Sequence, residues 1–150
     1  MCVAASRRYP ADPAAPAAAR HFGAAAVISA LTPAGWNLAD DVTLLISELV
    51  TSAVIADASA VEVLVDLHRD RLDVTVTDDR PVAAAEADGG DVVPDPVAGD
   101  PADAGGRIVA AISTNRGVRA ASNGRTATWA RLPCDPRFTA GIKCEQAGTG

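Results

Sequence analysis

Aromatic side chains make up only 3% of this 150-residue chain, so its core cannot rest on stacked rings and must come from Val, Leu, Ile and Ala. Cysteine is also sparse. Cys2, Cys134 and Cys144 form no Cys-x-x-Cys pair, and neither His21 nor His68 lies near them in sequence, which argues against a structural zinc site. The redox state of the cytosol argues against a bridge between Cys134 and Cys144. No run of about 18 apolar residues occurs, so no membrane span is expected. The first twenty residues lack the apolar stretch of a secretory leader, which makes the expected location cytoplasmic. Clustered positive charge is missing too. The net charge is -6, which disfavours direct nucleic-acid binding because phosphates need Lys and Arg opposite them. The basic residues are nearly all arginine, and with the abundant alanine this reflects coding bias more than chemistry.

What the chain does have is 49% hydrophobic residues, enough for one packed domain. Residues 1–16 contain Pro10, Pro13 and Pro16 and read as a disordered arm. A helix is predicted over 17–31, with Phe22, Ala25, Ile28 and Leu31 as its apolar stripe. A stronger helix is predicted over 38–56, where Leu38, Val42, Leu45, Leu49 and Ala53 recur at helical spacing. Asp40 and Asp41 suit its first turn. Strict alternation over 61–67 and again over 72–77, joined by a short polar link, predicts an antiparallel hairpin. Residues 81–104 hold four prolines and six acidic residues with no apolar period, which reads as a mobile, lid-like loop. A short helix over 105–116 follows, then a second hairpin around Asn123-Gly124 and a flexible polar tail over 134–150. The expected fold is an α/β two-layer sandwich, a mostly antiparallel mixed sheet with helices on one face, spanning residues 17–133.

Several segments resemble one known family. Ser47-Glu48-Leu49-Val50-Thr51-Ser52-Ala53 is similar to the Ser-Glu-Leu-Val-Thr-Asn-Ala segment of the histidine-kinase-like ATPase (GHKL) superfamily, in its anti-sigma serine kinase branch. Val76-Thr77-Asp78-Asp79 resembles the strand end bearing that family's adenine-binding aspartate. Gly105-Gly106-Arg107-Ile108-Val109 resembles the glycine segment after its ATP lid. Asn115-Arg116-Gly117-Val118-Arg119 and Thr128-Trp129-Ala130-Arg131-Leu132-Pro133 resemble its closing hairpin, whose threonine falls at Thr126. The resemblance runs from about residue 17 to 133.

The resemblance implies Glu48 as general base, Asp78, Gly105, Gly106 and Thr126 as nucleotide contacts, and the metal position at Ser52. There the family carries an asparagine, one helical turn after the glutamate and on the same face. A serine hydroxyl is shorter, and magnesium demands near-octahedral oxygen ligands at short range. Ile55 stands where the family has a polar residue, and Arg80 and Val82 replace glycines that let the backbone approach adenine. Without the resemblance, Glu48 reads equally as a solvated helix residue, and Asp78-Asp79 as turn formers. Two functions follow. In the first, the chain is a regulatory protein-binding module in bacterial partner switching or sigma-factor control, with no cofactor expected. Its partner would be a sigma factor, an anti-sigma antagonist with a phosphorylatable serine, or another regulator. In the second, it is an active Mg-ATP-dependent anti-sigma protein serine kinase. Nucleotide binding without phosphotransfer is a third possibility. The resemblance also implies pairing into a homodimer.

Overall fold

Residues 3–81 and 104–139 are described in the computed structural model. The elements are β1 (Val3–Pro10), α1 (Ala15–Ala30), α2 (Leu38–Ile55), β2 (Ala60–Leu67), β3 (Arg71–Pro81), α3 (Ala104–Ile112), β4 (Asn115–Ala120) and β5 (Arg125–Pro133), with single 3-10 turns at Pro33–Gly35, Ser122–Gly124 and Pro136–Thr139. The five strands form one sheet in the order β1-β2-β3-β5-β4. Among the described residues every pairing is antiparallel, so there the sheet is not mixed. The α/β two-layer arrangement is as expected, and among the described residues no helix is long and apolar enough to cross a membrane.

Side-chain alternation sorts the sheet into two faces. Val61, Val63, Val65 and Leu67 of β2, with Leu72, Val74 and Val76 of β3 and Ala130 and Leu132 of β5, are buried against the helices. The predicted stripe of α2 supplies the other half of this core: Val42, Leu45, Leu49 and Ala53 are buried and Leu38 is partly buried, and Ile46 and Val50 join them. The helix stops at Ile55, and Asp57 beyond it takes a left-handed φ of 61°, a conformation that aspartate tolerates better than most residues.

Four local expectations are corrected. The segment 1–16 is not a loose arm, because Val3–Pro10 pairs with β2 along its whole length, from Val3 opposite Leu67 to Pro10 opposite Ala60. Its prolines do not oppose this: Pro10 closes an edge strand, and Pro16 sits in the first turn of α1. Arg7 lies over the Phe22 ring at 5.4 Å and the Tyr9 hydroxyl donates to the Ala18 carbonyl, which fastens β1 to α1.

The buried stripe of α1 is also different. It runs through Ala15, Ala19, Gly23 and Val27, while Ile28 is 44% exposed. Small residues win this face because α1 crosses α2 closely: a Cβ on Gly23 would lie 2.1 Å from Ile46 Cδ1. The third helix ends at Ile112, not Arg116, since Asn115 already pairs with Arg131 in the sheet. The predicted tail begins with structure. Cys134 is a buried free thiol, and the Pro136–Thr139 turn puts the Phe138 ring over Gly35, where any Cβ would meet it at 2.9 Å. The Thr32 amide donates to the Phe138 carbonyl at 2.9 Å. Of the lid-like loop predicted over 81–104, Pro81 closes β3 and Ala104 opens α3, while residues 82–103, like the end of the tail from residue 140, lie outside the described residues.

Candidate functional site

The residues singled out by the resemblance fall into two groups. The first is on α2. Glu48 is half-buried and Ser52, one turn on, is exposed. Among the described residues neither makes a hydrogen bond or ion pair through its side chain. Ile55, the next residue along this flank, is 76% exposed. α3 packs beside α2 and contains Gly105 and Gly106 in its first turn.

The second group closes the end of β3. Asp78 continues the inward-facing series Leu72, Val74, Val76, so it enters the helix-side face and is 2% exposed. Thr126 sits directly opposite on β5. The β3–β5 register shifts between Asp78 and Pro81, and Arg80 folds back at this irregularity. Its Nε donates to Asp78 Oδ1 at 2.8 Å and its Nη2 to Oδ2 at 2.6 Å, while its backbone N–H donates to Oδ1 at 2.9 Å. Thr126 Oγ1 donates to the Arg80 carbonyl at 2.9 Å, which holds the same loop from the other strand. A charge-assisted, two-pronged pair of this kind is among the stronger polar contacts a protein makes.

Asp79 points the other way and ties β3 to the α2–β2 junction. The Ser59 hydroxyl donates to its Oδ2 and the Ser59 amide to its Oδ1. These bonds, the hydroxyl foremost, hold the Asp79 carboxyl below its ordinary pKa. A cleft of about 190 Å³ beside Asp78 and Asp79 is lined also by Arg8, Glu62, Thr77 and Arg125; Glu48 and Ser52 do not line it. Arg8 Nε pairs with Glu62 across the β1–β2 edge at 3.1 Å.

The structure therefore brings Asp78 and Thr126 together, with Arg80 as the residue that joins them, and leaves Glu48 and Ser52 on a separate helix flank. From the sequence alone, Arg80 reads only as bulk replacing a glycine. The signal for its pairing was present: an Asp-x-Arg step on a strand puts both side chains on one face. Among the described residues no group of three His, Cys, Asp or Glu side chains is placed to hold a metal ion. No family model matches the chain, and no curated protein matches it.

Proposed function

We propose that the chain is a cytoplasmic regulatory protein-binding module of the histidine-kinase-like ATPase type, acting in bacterial partner switching or sigma-factor control, with ATP binding lost or weakened. The observation that carries this reading is the Asp78–Arg80 pair. In the family that the chain resembles, the aspartate accepts a hydrogen bond from adenine. Here both carboxylate oxygens already accept from Arg80 at 2.8 and 2.6 Å. A base would have to break a buried, charge-assisted pair to enter.

The α2 side adds to this. Ser52 offers a short hydroxyl at the metal position, and Ile55 places a branched apolar side chain on the flank that would face a triphosphate. Together these residues fit a magnesium nucleotide poorly. The partner on this reading is a sigma factor, a serine-bearing antagonist or another regulator. Pairing of two copies is part of the same expectation.

One observation favours the second reading, an active protein serine kinase. Glu48 is half-buried and has no partner among the described residues, which leaves its carboxylate available as a base. Thermal unfolding with Mg-ATP and Mg-ADP separates the two. A nucleotide present at one hundred times its dissociation constant stabilises the folded state by about 2.7 kcal/mol. The binding-module reading expects no magnesium-dependent shift at millimolar nucleotide. A clear shift, with phosphate transferred to a serine of a co-purified antagonist, establishes the kinase instead.

A further inference from the structure

The sheet face turned away from α1 and α2 carries a second cluster, independent of the Asp78 site. Asp66, Leu64, Asp73, Thr75, Trp129 and Arg119 line a cleft there of about 150 Å³. Two cross-strand rows build it. Asp66 lies opposite Asp73, which lies opposite Arg131; in the next row Leu64 lies opposite Thr75, which lies opposite Trp129.

The two carboxylates are not equivalent. Asp73 is neutralised by Arg131, whose Nε and Nη2 donate to it at 2.8 and 3.2 Å. Asp66 has no such partner. The His68 ring lies beside both carboxylates, with Nε2 3.6 Å from Asp66 Oδ2 and 3.8 Å from Asp73 Oδ2, and among the described residues Asp66 Oδ1 is buried with no hydrogen bond. At the far wall Trp129 is only 6% exposed, and among the described residues its indole N–H is buried without an acceptor. Native proteins rarely leave such groups unsatisfied. Here one wall has a spare carboxylate oxygen, the other has a spare N–H donor, and Leu64 and Thr75 line the cleft with them; Arg71, whose Nε is also buried without a hydrogen bond, lies 3.7 Å from Asp73 and is not part of the lining.

We propose that this cleft binds a small ω-amino acid, with its ammonium on Asp66, its carboxylate on the Trp129 indole N–H and the exposed Arg119, and its methylene chain over Leu64 and Thr75. The register sets the length. Asp66 and Trp129 are two strands and two residues apart, about 12 Å between their Cα positions at ordinary sheet spacings. Side chains take up part of that distance, so a zwitterion with several methylenes spans the remainder and an α-amino acid does not. A cavity of about this volume elsewhere holds a benzene-sized ligand, so a short, slender chain is the right scale.

The test is an indole N–H titration by NMR with 6-aminohexanoate. Trp36 and Trp129 give two signals, assigned with Trp36→Phe at a site 47% exposed. The expected result is a saturable shift of the Trp129 signal alone, weakened about tenfold or more by Asp66→Asn, which removes a charge-assisted contact. Pentylamine, pentanoate and glycine each carry only part of the required pattern and are expected to bind at least that much more weakly. Arg119→Gln, on an exposed side chain, is expected to weaken the zwitterion and pentanoate but not pentylamine, and it decides the matter if Asp66→Asn does not fold. An unmoved Trp129 signal at tens of millimolar 6-aminohexanoate overturns the proposal. So does equal binding of the one-ended probes. Mg-ATP binding has no bearing on either outcome.

Discussion

Replacing Arg80 with methionine leaves the Asp78 carboxylate where it is, 2% exposed, without the guanidinium that holds both its oxygens. Breaking a fully buried pair in this way costs about 3–5 kcal/mol, whereas a surface pair is worth about 0–1 kcal/mol. The Arg80 side chain is 33% exposed, which places this pair between those limits. Arg80→Met is therefore expected to lose about 2 kcal/mol. Asp78→Asn strands less charge, because the Arg80 guanidinium is 33% exposed and keeps access to water while the amide oxygen still accepts the Arg80 N–H; about 1 kcal/mol is expected. The double variant should lose less than the sum, since its second change removes no remaining pair. For a chain of this length each kcal/mol moves the melting temperature by about 2–4 °C. Urea unfolding of the four proteins, followed by circular dichroism, measures the cycle. Additive losses, or a larger loss for Asp78→Asn than for Arg80→Met, would refute the argument that Asp78 is a buried charge sustained by Arg80.

Further expectations follow from other contacts. Ser52→Asn alone is expected to produce no Mg-ATP-dependent rise in melting temperature, because Arg80 still engages Asp78 and Ile55 is unchanged; tight binding by this single variant would show that one substitution governs the pocket. Gly23→Ala should destabilise by about 1 kcal/mol, the overpacking against Ile46 outweighing the gain in helix propensity. In an Ile46→Val background, which removes the colliding Cδ1, the same change should become neutral or stabilising; denaturant midpoints report the reversal. The folded-state pKa of Asp79 is lowered from 3.8, so the stability it contributes is present above that value and is lost as pH falls through the folded value. Asp79→Asn should flatten the acid limb of a stability–pH curve below about pH 5, and an unchanged limb would mean that its bonds to Ser59 do not favour the charged form.

The parts of the fold that were legible in the sequence are those where large side chains keep a period. Val61, Val63 and Val65 alternate, and Val42, Leu45 and Leu49 step at helical spacing; both patterns point to the observed core. What escaped was carried by small or polar residues. The strand β1 has the sequence Val-Ala-Ala-Ser-Arg-Arg-Tyr-Pro, with no apolar alternation strong enough to mark it. Its order comes from the free edge of β2, a partner some sixty residues away. On α1 the larger Phe22 and Ile28 set the apparent apolar period, but close helix crossing selects alanine and glycine. At the candidate site, the positions of Asp78 and Thr126 were named from a resemblance, and their pairing across β3 and β5 needed the register. The carboxylates of the opposite face could be assigned to a polar side of the hairpin. That Arg131 satisfies Asp73 and leaves Asp66 wanting depends on which strand lies next to which, and alternation alone does not carry that information.

The N-terminal strand also has a practical bearing on how the protein is handled. Cut the chain at Ala11, and eight residues of valine-rich backbone, from Ala60 to Leu67, lose their neighbour and face solvent as an open template. Two such molecules could zip together along that seam. A truncated preparation would then sediment as a dimer for reasons unrelated to regulation, so any measurement of self-association should begin from a chain whose first ten residues are untouched.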